Sequence, residues 1–284
     1  MTAALHSLRV LLDGLSFPEG PRWRDGALWF SDFYTHRVQS VDLTGEVTQR
    51  ATVPNRPSGL GFAPDGTLLV VSMLDRRLMA VEGDGMRVVA DLSELASGPC
   101  NDMVVDRGGR AYVGNFGYDK NNGEPPRETR IIKVEPDGTA EAVGDELVFP
   151  NGMVITADGR RLIVGETFAE RLSMFDIAPD GALSNRRIFA EIEGCHPDGI
   201  ALDAEGAVWV ADPVGKRVLR VVEGGAIRHE VPLGERGAYA CMLGGPGRRT
   251  LFVLTNSGSG PAMANRRDGR VEVVEVEVPG AGLP

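Results

Sequence analysis

The amino-acid sequence predicts an all-β fold, a single six-bladed β-propeller domain that spans residues 1–284. A turn that ends in glycine and leads into a short apolar strand occurs six times, and these marker glycines stand at positions 26, 66, 109, 159, 206 and 247. Intervals of 40, 43, 50, 47 and 41 residues separate them. Because one propeller blade has four strands and about 45 residues, six such units predict six blades.

Strand signals inside each repeat support antiparallel hairpins. In the first repeat, apolar segments at 27–30 and 37–42 are followed by a second glycine turn at 44–45, and this order recurs along the chain. Short strands with regularly spaced turns are typical of hairpins. The segment at 8–12 precedes the first repeat, and the final strand at 270–278 needs a partner. We therefore predict that these two strands pair in the last blade and close the ring, which removes open strand edges.

Charge and cysteine content exclude several classes of function. The formal net charge is −10, without a basic stripe, so nucleic acids and anionic membranes are poor partners. The three cysteines are far apart and the four histidines are scattered, a pattern of neither a disulfide framework nor a zinc site. We find no signal peptide and no apolar run of the about 18 residues that a membrane span needs. We expect a cytoplasmic protein with reduced thiols.

A polar residue stands at a fixed place in each repeat, at the start of the strand predicted to be innermost. It lies eight positions before the marker glycine in four repeats and seven before it in the first; the same count in the last repeat reaches a tyrosine. The six residues are Glu19, Ser58, Asn101, Asn151, Asp198 and Tyr239. Because equivalent positions of blades around one axis converge, we expect these side chains to meet at one channel mouth.

Carboxylates and amide carbonyls that converge in this way would repel one another or stay unsatisfied unless water or a cation lay between them. Ligands that are all oxygen favour Ca²⁺ first and Mg²⁺ or Mn²⁺ next, with Zn²⁺ possible. Two other interpretations stay open at this point. The polar residue with its following glycine is also typical of a turn that caps each blade, and an ion in the tunnel could be purely structural.

Motifs at these positions resemble those of the family of senescence marker protein (regucalcin), gluconolactonase and related lactonases, over about residues 8 to 278. They are Phe17-Pro18-Glu19-Gly20-Pro21-Arg22-Trp23, Cys100-Asn101-Asp102, Pro150-Asn151-Gly152-Met153, Pro197-Asp198-Gly199-Ile200 and Gly244-Gly245. The resemblance implies a six-bladed propeller with one catalytic divalent cation in the tunnel. It implies that Glu19, Asn151 and Asp198 are the metal ligands, that Asn101 contacts the substrate, and that Asp198 also serves as general base.

We therefore expect a metal-dependent hydrolase that opens a lactone, with Asp198 as the catalytic base and with Asn101, Tyr118 and His196 as substrate contacts. The sequence departs from the family pattern at Pro99, where members that hydrolyse gluconolactone have arginine two residues before the substrate asparagine. Proline offers no guanidinium donor, so we expect a less polar lactone than gluconolactone. The expected mouth residues fit that view, being largely aromatic or apolar: Tyr34, His36, Met73, Phe116, Tyr118, Phe168 and Tyr239.

Two further hypotheses compete with the lactonase. One is a phosphotriesterase-like hydrolase with a similar oxygen-ligated ion, and the other is a non-catalytic binding propeller whose ion is structural. No serine-hydrolase elbow, phosphate loop or dinucleotide-binding motif is found. We interpret Cys100 as a small core residue and Ser257 and Ser259 as part of a loop. The segment 117–130 lengthens the third interval and is expected to be either a lid or specificity element at the entrance, or a connector.

Overall fold

The computed structural model describes residues 8–83, 85–119 and 122–284, and it confirms the predicted six-bladed propeller. The described chain begins with β1 (Arg9–Leu15), which belongs to the last blade. Blade 1 follows with β2 (Pro18–Arg24), β3 (Ala27–Asp32), β4 (Arg37–Asp42) and β5 (Val47–Thr52), and blade 2 with β6 (Pro57–Phe62), β7 (Leu68–Ser72), β8 (Arg77–Glu82) and β9 (Gly85–Asp91).

The remaining blades repeat this antiparallel order. Blade 3 consists of β10 (Cys100–Val105), β11 (Ala111–Asn115), β12 (Thr129–Val134) and β13 (Ala140–Leu147). Blade 4 consists of β14 (Pro150–Ile155), β15 (Arg161–Glu166), β16 (Arg171–Ile177) and β17 (Leu183–Glu191). Blade 5 consists of β18 (Ile200–Leu202), β19 (Val208–Asp212), β20 (Arg217–Val221) and β21 (Ile227–Pro232).

Blade 6 closes the ring as the sequence predicts. It contains β22 (Gly237–Gly244), β23 (Thr250–Asn256) and β24 (Gly269–Glu275), and β1 is its fourth strand. β1 pairs antiparallel with β24, with Arg9 opposite Val273 and Leu15 opposite Gly269. The first and last strands of the described chain therefore share one sheet, and the edge of β24 that would otherwise be open is paired.

The hydrophobic core lies between neighbouring blades. One cluster joins Leu28 and Phe30 of blade 1 to Phe252 and Val271 of blade 6, and every other pair of adjacent blades shares a similar cluster. The innermost strands β14 and β22 are buried along their whole length, whereas the outermost strand β5 is mostly exposed. Burial of the inner strands fixes the position of the side chains that stand at their ends.

Short 3₁₀ helices follow some of the strands, at Phe33–Thr35, Thr167–Ala169, Pro246–Arg248 and Pro261–Asn265. Two of them, together with the loops at equivalent places in other blades, supply residues around one end of the central channel. Within the residues that the structure describes, no helix has both the length and the apolar character that crossing a membrane requires.

Candidate active site

Close packing of the inner strands brings the polar residues of the repeats together. Gly152 follows Asn151, and a Cβ atom on this glycine would lie 2.5 Å from the backbone nitrogen of Ile200 and 2.6 Å from the carbonyl oxygen of Asp198 in the next blade. A Cβ atom on Gly59 would likewise lie 2.5 Å from the backbone nitrogen of Met103. The glycine of the repeated motif therefore allows neighbouring backbones to approach, and this approach places the preceding polar side chains around one axis.

These side chains surround a cavity of about 260 Å³ at one end of the channel. Five of the six residues that the repeat pattern singled out line it: Glu19, Asn101, Asn151, Asp198 and Tyr239. The sixth, Ser58, is buried beside the cavity, and its Oγ donates to Asn101 Oδ1 at 3.4 Å. The structure thus brings the predicted metal ligands and the predicted substrate asparagine into the same cavity.

A chain of hydrogen bonds orients the two amides. Asn101 Nδ2 donates to Asn151 Oδ1 at 2.8 Å, and Asn151 Nδ2 donates to Thr167 Oγ1 at 3.2 Å. Thr167 gives its own hydroxyl proton to the carbonyl oxygen of Pro197 at 2.8 Å, so it can only accept from Asn151. This fixes which end of the Asn151 amide faces Thr167, and it leaves Oδ1 with a second lone pair.

Two carboxylates give the cavity an excess of negative charge. Burial raises the pKa of Glu19 well above its ordinary value, and the charges of Asp198 and then Asp102 raise it further. The backbone N–H of Gly20, 3.2 Å from Glu19 Oε2, and the guanidinium of Arg22 lower the same pKa. Since the raising effects dominate, the site as built favours protonation of a carboxyl or the presence of a positive charge.

The guanidinium of Arg22 already has hydrogen-bond acceptors on two other blades. Its Nε donates to the carbonyl oxygen of Leu60 at 2.7 Å, and its Nη2 donates to Asp102 Oδ1 at 3.0 Å and to the carbonyl oxygen of Met103. The side chain is buried and joins blades 1, 2 and 3 across the channel. It therefore acts as a structural tie and does not neutralise both carboxylates of the cavity.

The donors around Glu19 and Asp198 suit a hard cation. Among the described residues, no group of three or more His, Cys, Asp or Glu side chains could hold a metal ion. A cation between Glu19 and Asp198 would therefore need an amide oxygen as a further ligand, and Asn151 Oδ1 lies at the cavity. This is the oxygen-only set of ligands that Ca²⁺, Mg²⁺ and Mn²⁺ prefer.

Aromatic side chains form the wall of the cavity, and the polar residues Glu19, Asn101, Asn151 and Asp198 form its floor. The rings of Phe17 and Tyr239 lie 4.7 Å apart, and those of Phe116 and Phe149 stack at 4.5 Å with an angle of 7° between their planes. Burial, followed by the charge of Asp198, raises the pKa of Tyr239 to about 12, while a hydrogen bond with Ser259 lowers it. Tyr239 therefore stays protonated in the cavity at neutral pH.

Most of the expected mouth residues line this cavity, namely Tyr34, Met73, Phe116, Phe168 and Tyr239, and so does His196. Nδ1 of His196 is buried without a hydrogen-bond partner among the described residues. His36 and Tyr118 are not part of the lining. Tyr118 packs its ring against Phe149 at 6.1 Å and lines a neighbouring groove of about 450 Å³. Its contact with the substrate stays a prediction.

The segment 117–130 belongs to that neighbouring groove. Its residues Tyr118, Pro126, Arg127 and Glu128 line the groove, and none of its described residues lines the central cavity. Phe149 borders both spaces. Residues 120–121 of the segment lie outside the described residues, and the expectation of a lid or specificity element stays a prediction.

Sequence reasoning found only some of the cavity residues that follow the second strand of each blade. It named Tyr34, Met73, Phe116 and Phe168, and it missed Phe33, Leu74, Thr167, Pro213 and Val214. These strands end in a buried polar residue, which is Asp32, Ser72, Asn115, Glu166, Asp212 or Asn256, and the one or two residues after it usually line the cavity. Asp32 accepts from the backbone N–H of Phe17 at 2.7 Å, and Asp212 accepts from that of His196 at 3.2 Å. The recurrence of this polar residue is a sequence signal that would have indicated Thr167. Ser259 was interpreted as part of a loop, and it also lines the cavity.

Comparisons with known proteins identify the family and the fold. Residues 17–257 match the family model described as SMP-30/Gluconolactonase/LRE-like region. A 6-deoxy-6-sulfogluconolactonase from Pseudomonas putida is 26% identical over 278 residues, covering 94% of this chain and 93% of that protein. A pentonolactonase from Haloferax volcanii is 28% identical over 269 residues, covering 92% and 88%. A calcium-binding protein, regucalcin, from Agrobacterium tumefaciens has the same fold, with a TM-score of 0.82, 22% identity and coverage of 98% and 96%.

Proposed function

The chain belongs to the SMP-30/gluconolactonase/LRE-like family, and we propose that it is a divalent-metal-dependent hydrolase that opens the ring of a lactone. The observation that carries this proposal is the convergence of Glu19, Asn151 and Asp198, with Asn101 beside them, in one cavity at the end of the channel. Two relatives that match nearly the whole chain are named as lactonases, which supports the same reaction class.

We assign one cation to Glu19, Asn151 and Asp198, with Ca²⁺ preferred and Mn²⁺, Mg²⁺ or Zn²⁺ as alternatives. The residues fit such an ion because a positive charge there offsets the burial and the carboxylate repulsion that together raise the pKa of Glu19. When bound, the cation supplies Lewis-acid stabilisation of negative charge on the ester carbonyl oxygen and favours deprotonation of a nearby water. Thr167 holds the amide of Asn151 in the orientation that this role requires.

The other cavity residues position the substrate and move the proton. Hydrolysis requires that a group accept a proton from the attacking water and return one to the alkoxide formed when the ester bond breaks. We assign this role to Asp198, which lines the cavity. Asn101, held by Ser58 and Asn151, contacts the ester group, and His196 contributes a buried nitrogen that has no partner among the described residues.

The wall of the cavity favours a lactone that is less polar than gluconolactone. The apolar residues that line it are Phe17, Phe33, Met73, Phe149 and Phe168. A substrate with many hydroxyl groups would leave several of its hydroxyls without hydrogen-bond partners against this surface. A volume of about 260 Å³ lies just below the range of about 300–1,000 Å³ common for ligand pockets, which favours a small substrate.

Free thiols suit a reducing compartment, and we propose a cytoplasmic location. Cys100, Cys195 and Cys241 are all free and buried. Burial raises the pKa of Cys100 to about 12, so this thiol stays neutral and acts as a core side chain next to Asn101.

The test is a pH-indicator assay of metal-stripped protein over a panel of γ- and δ-lactones, with paraoxon included, before and after Ca²⁺, Mn²⁺ or Zn²⁺ is restored. We expect lactone turnover that returns with metal and that falls by at least about 100-fold in Asp198→Ala. Asp145→Ala removes an exposed carboxylate and is the matched control, for which wild-type turnover is expected.

Each competing hypothesis has its own outcome in this assay. Faster turnover of paraoxon than of any lactone would replace the lactonase by a phosphotriesterase. Full turnover by Asp198→Ala with metal bound would remove Asp198 from its assigned role. A protein that binds one ion but hydrolyses neither class of substrate would support the binding propeller with a structural ion instead.

A further inference from the structure

Arg56 is the cationic side chain of the aromatic wall, and the proposed reaction does not use it. It lines the cavity with its guanidinium carbon 4.7 Å from the centre of the Tyr34 ring. Its Nε is buried and has no hydrogen-bond partner among the described residues. Arg56 is half-buried, and leaving its buried Nε–H without an acceptor is costly.

Two other arginines of the described chain also stack on aromatic rings, and both have an acceptor. Arg24 lies 4.4 Å from the Phe62 ring and pairs with Asp25 at 3.1 Å. Arg50 lies 4.4 Å from a tryptophan ring, and its Nε donates to a serine hydroxyl at 2.9 Å. Stacking on an aromatic ring is therefore combined with a polar partner elsewhere in this protein, and Arg56 is the exception that faces the cavity.

The backbone holds Arg56 in place at the rim. Its φ of 70° lies in the left-handed region, which non-glycine residues seldom adopt. Its N–H donates to the carbonyl oxygen of Val53 at 3.1 Å, and its own carbonyl oxygen accepts from the N–H of Met73 at 2.9 Å. The side chain therefore leaves a fixed point of the rim, as a preorganised binding group does.

Blade symmetry directs this position at the cavity. Arg56 stands two residues before Ser58, and residues two positions before the equivalent polar residue in other blades also line the cavity: Phe17, Pro99, Phe149 and His196. Blade 2 alone provides a cation at this place. The cavity thus has carboxylates at its floor and one guanidinium on its wall.

We propose that the lactone carries a carboxylate on its ring or side chain and that Arg56 binds this carboxylate while the ester group lies at Asn101, Asn151 and Asp198. The inference refines the proposed function and rests on it. The aromatic wall contacts the hydrocarbon part of the substrate, and the fork of Arg56 matches the two oxygens of a carboxylate. The small cavity favours this anion over a bulkier one. The substrate is then poor in hydroxyl groups but bears one negative charge.

A matched pair of substrates tests the inference by kinetics. The pair is γ-(carboxymethyl)-γ-butyrolactone and its primary carboxamide, which differ in charge and hardly in shape. We expect the metal-loaded wild type to prefer the carboxylate, and Arg56→Gln to lower kcat/KM for it by about 10- to 100-fold with little change for the amide. Arg56→Lys should recover part of the loss. Arg50→Gln, which removes a stacked arginine far from the cavity lining, should change neither rate.

A binding experiment keeps this inference separate from the reaction. Cyclopentylacetate and cyclopentylacetamide have no ester bond, and their affinities are measured by calorimetry for wild type and Arg56→Gln. Tighter binding of the carboxylate that is lost in Arg56→Gln supports the inference even if no lactone is hydrolysed. Equal binding of the carboxylate by both proteins, or no binding of it by the wild type, overturns the inference. Equal loss of both lactone rates in Arg56→Gln overturns it as well and leaves the lactonase standing.

Discussion

Replacement of Gly152 by alanine tests how the site is assembled. Gly152 follows the proposed ligand Asn151, and its N–H donates to the carbonyl oxygen of Asp198 at 3.1 Å. Its φ is outside the left-handed region, so alanine brings no backbone strain of its own. The added Cβ would instead lie 2.5 Å from the backbone nitrogen of Ile200, where ordinary contacts begin at 3.4 Å.

The size of the effect follows from this overlap. The inner strands of blades 4 and 5 would have to separate by roughly 0.9 Å, the difference between 3.4 and 2.5 Å, and the atoms that must move are backbone atoms. Overpacking of this kind costs about 1–3 kcal/mol of stability. Because the separation falls between Asn151 and Asp198, and a misplacement of about 1 Å costs about 100-fold in rate, turnover should fall far more than stability predicts.

Urea unfolding and metal-restored lactone turnover measure the two effects in Gly152→Ala. Gly85→Ala is the control, because Gly85 begins the exposed strand β9 and a Cβ there would lie 3.7 Å from its nearest neighbour. We expect the control to stay within about 0.5 kcal/mol of wild type and to keep full turnover. Wild-type stability and turnover in Gly152→Ala would refute the view that close approach of the inner strands builds the site.

Three further changes probe the charges and hydrogen bonds around the cavity. Because the pKa of Glu19 is higher in the folded than in the unfolded protein, metal-stripped wild type should lose stability as the pH rises above the unfolded value of 4.5. Thermal unfolding should show no such loss in Glu19→Gln, and identical pH profiles of the two proteins would contradict the raised pKa of Glu19. Arg22→Met should cost about 3 kcal/mol in urea unfolding, because it leaves the mostly buried Asp102 without its ion-pair partner. Adding Asp102→Asn should recover part of the loss, and an additive loss would count against the pair. Thr167→Val should lower metal affinity about 10-fold or more, because the amide of Asn151 loses its hydrogen bond to Thr167. Thr167→Ser should bind metal normally, and equal affinities in both variants would show that Thr167 does not orient Asn151.

Much of the architecture was predictable because repeats multiply a weak local signal. A single turn followed by an apolar strand says little, but six copies at blade spacing determine the number of blades, and the unpaired strands at both ends determine the closure seen between β1 and β24. The convergence of Glu19, Asn151 and Asp198 followed from the same symmetry. The role of the glycines was less predictable, since close approach between blades is visible only in three dimensions.

Residues on the wall of the cavity were harder to predict. Arg56 precedes Pro57 in an ordinary loop sequence. Only the structure shows that its side chain borders the cavity and that its Nε has no acceptor among the described residues. Tyr118 was expected at the mouth, but its ring packs against Phe149 and lines the neighbouring groove. Side-chain direction beyond a strand end depends on such packing contacts, which a repeat pattern does not encode.

A titration of metal-stripped protein with Ca²⁺ during lactone hydrolysis tests whether the cavity holds a catalytic cation. If Glu19, Asn151 and Asp198 hold the cation that the reaction needs, turnover should be absent at the start and reach its maximum at one equivalent of bound metal. Glu19→Gln should require far more Ca²⁺ because it lacks one charged ligand. Full turnover by the stripped protein, or the same titration curve for wild type and Glu19→Gln, would contradict the account.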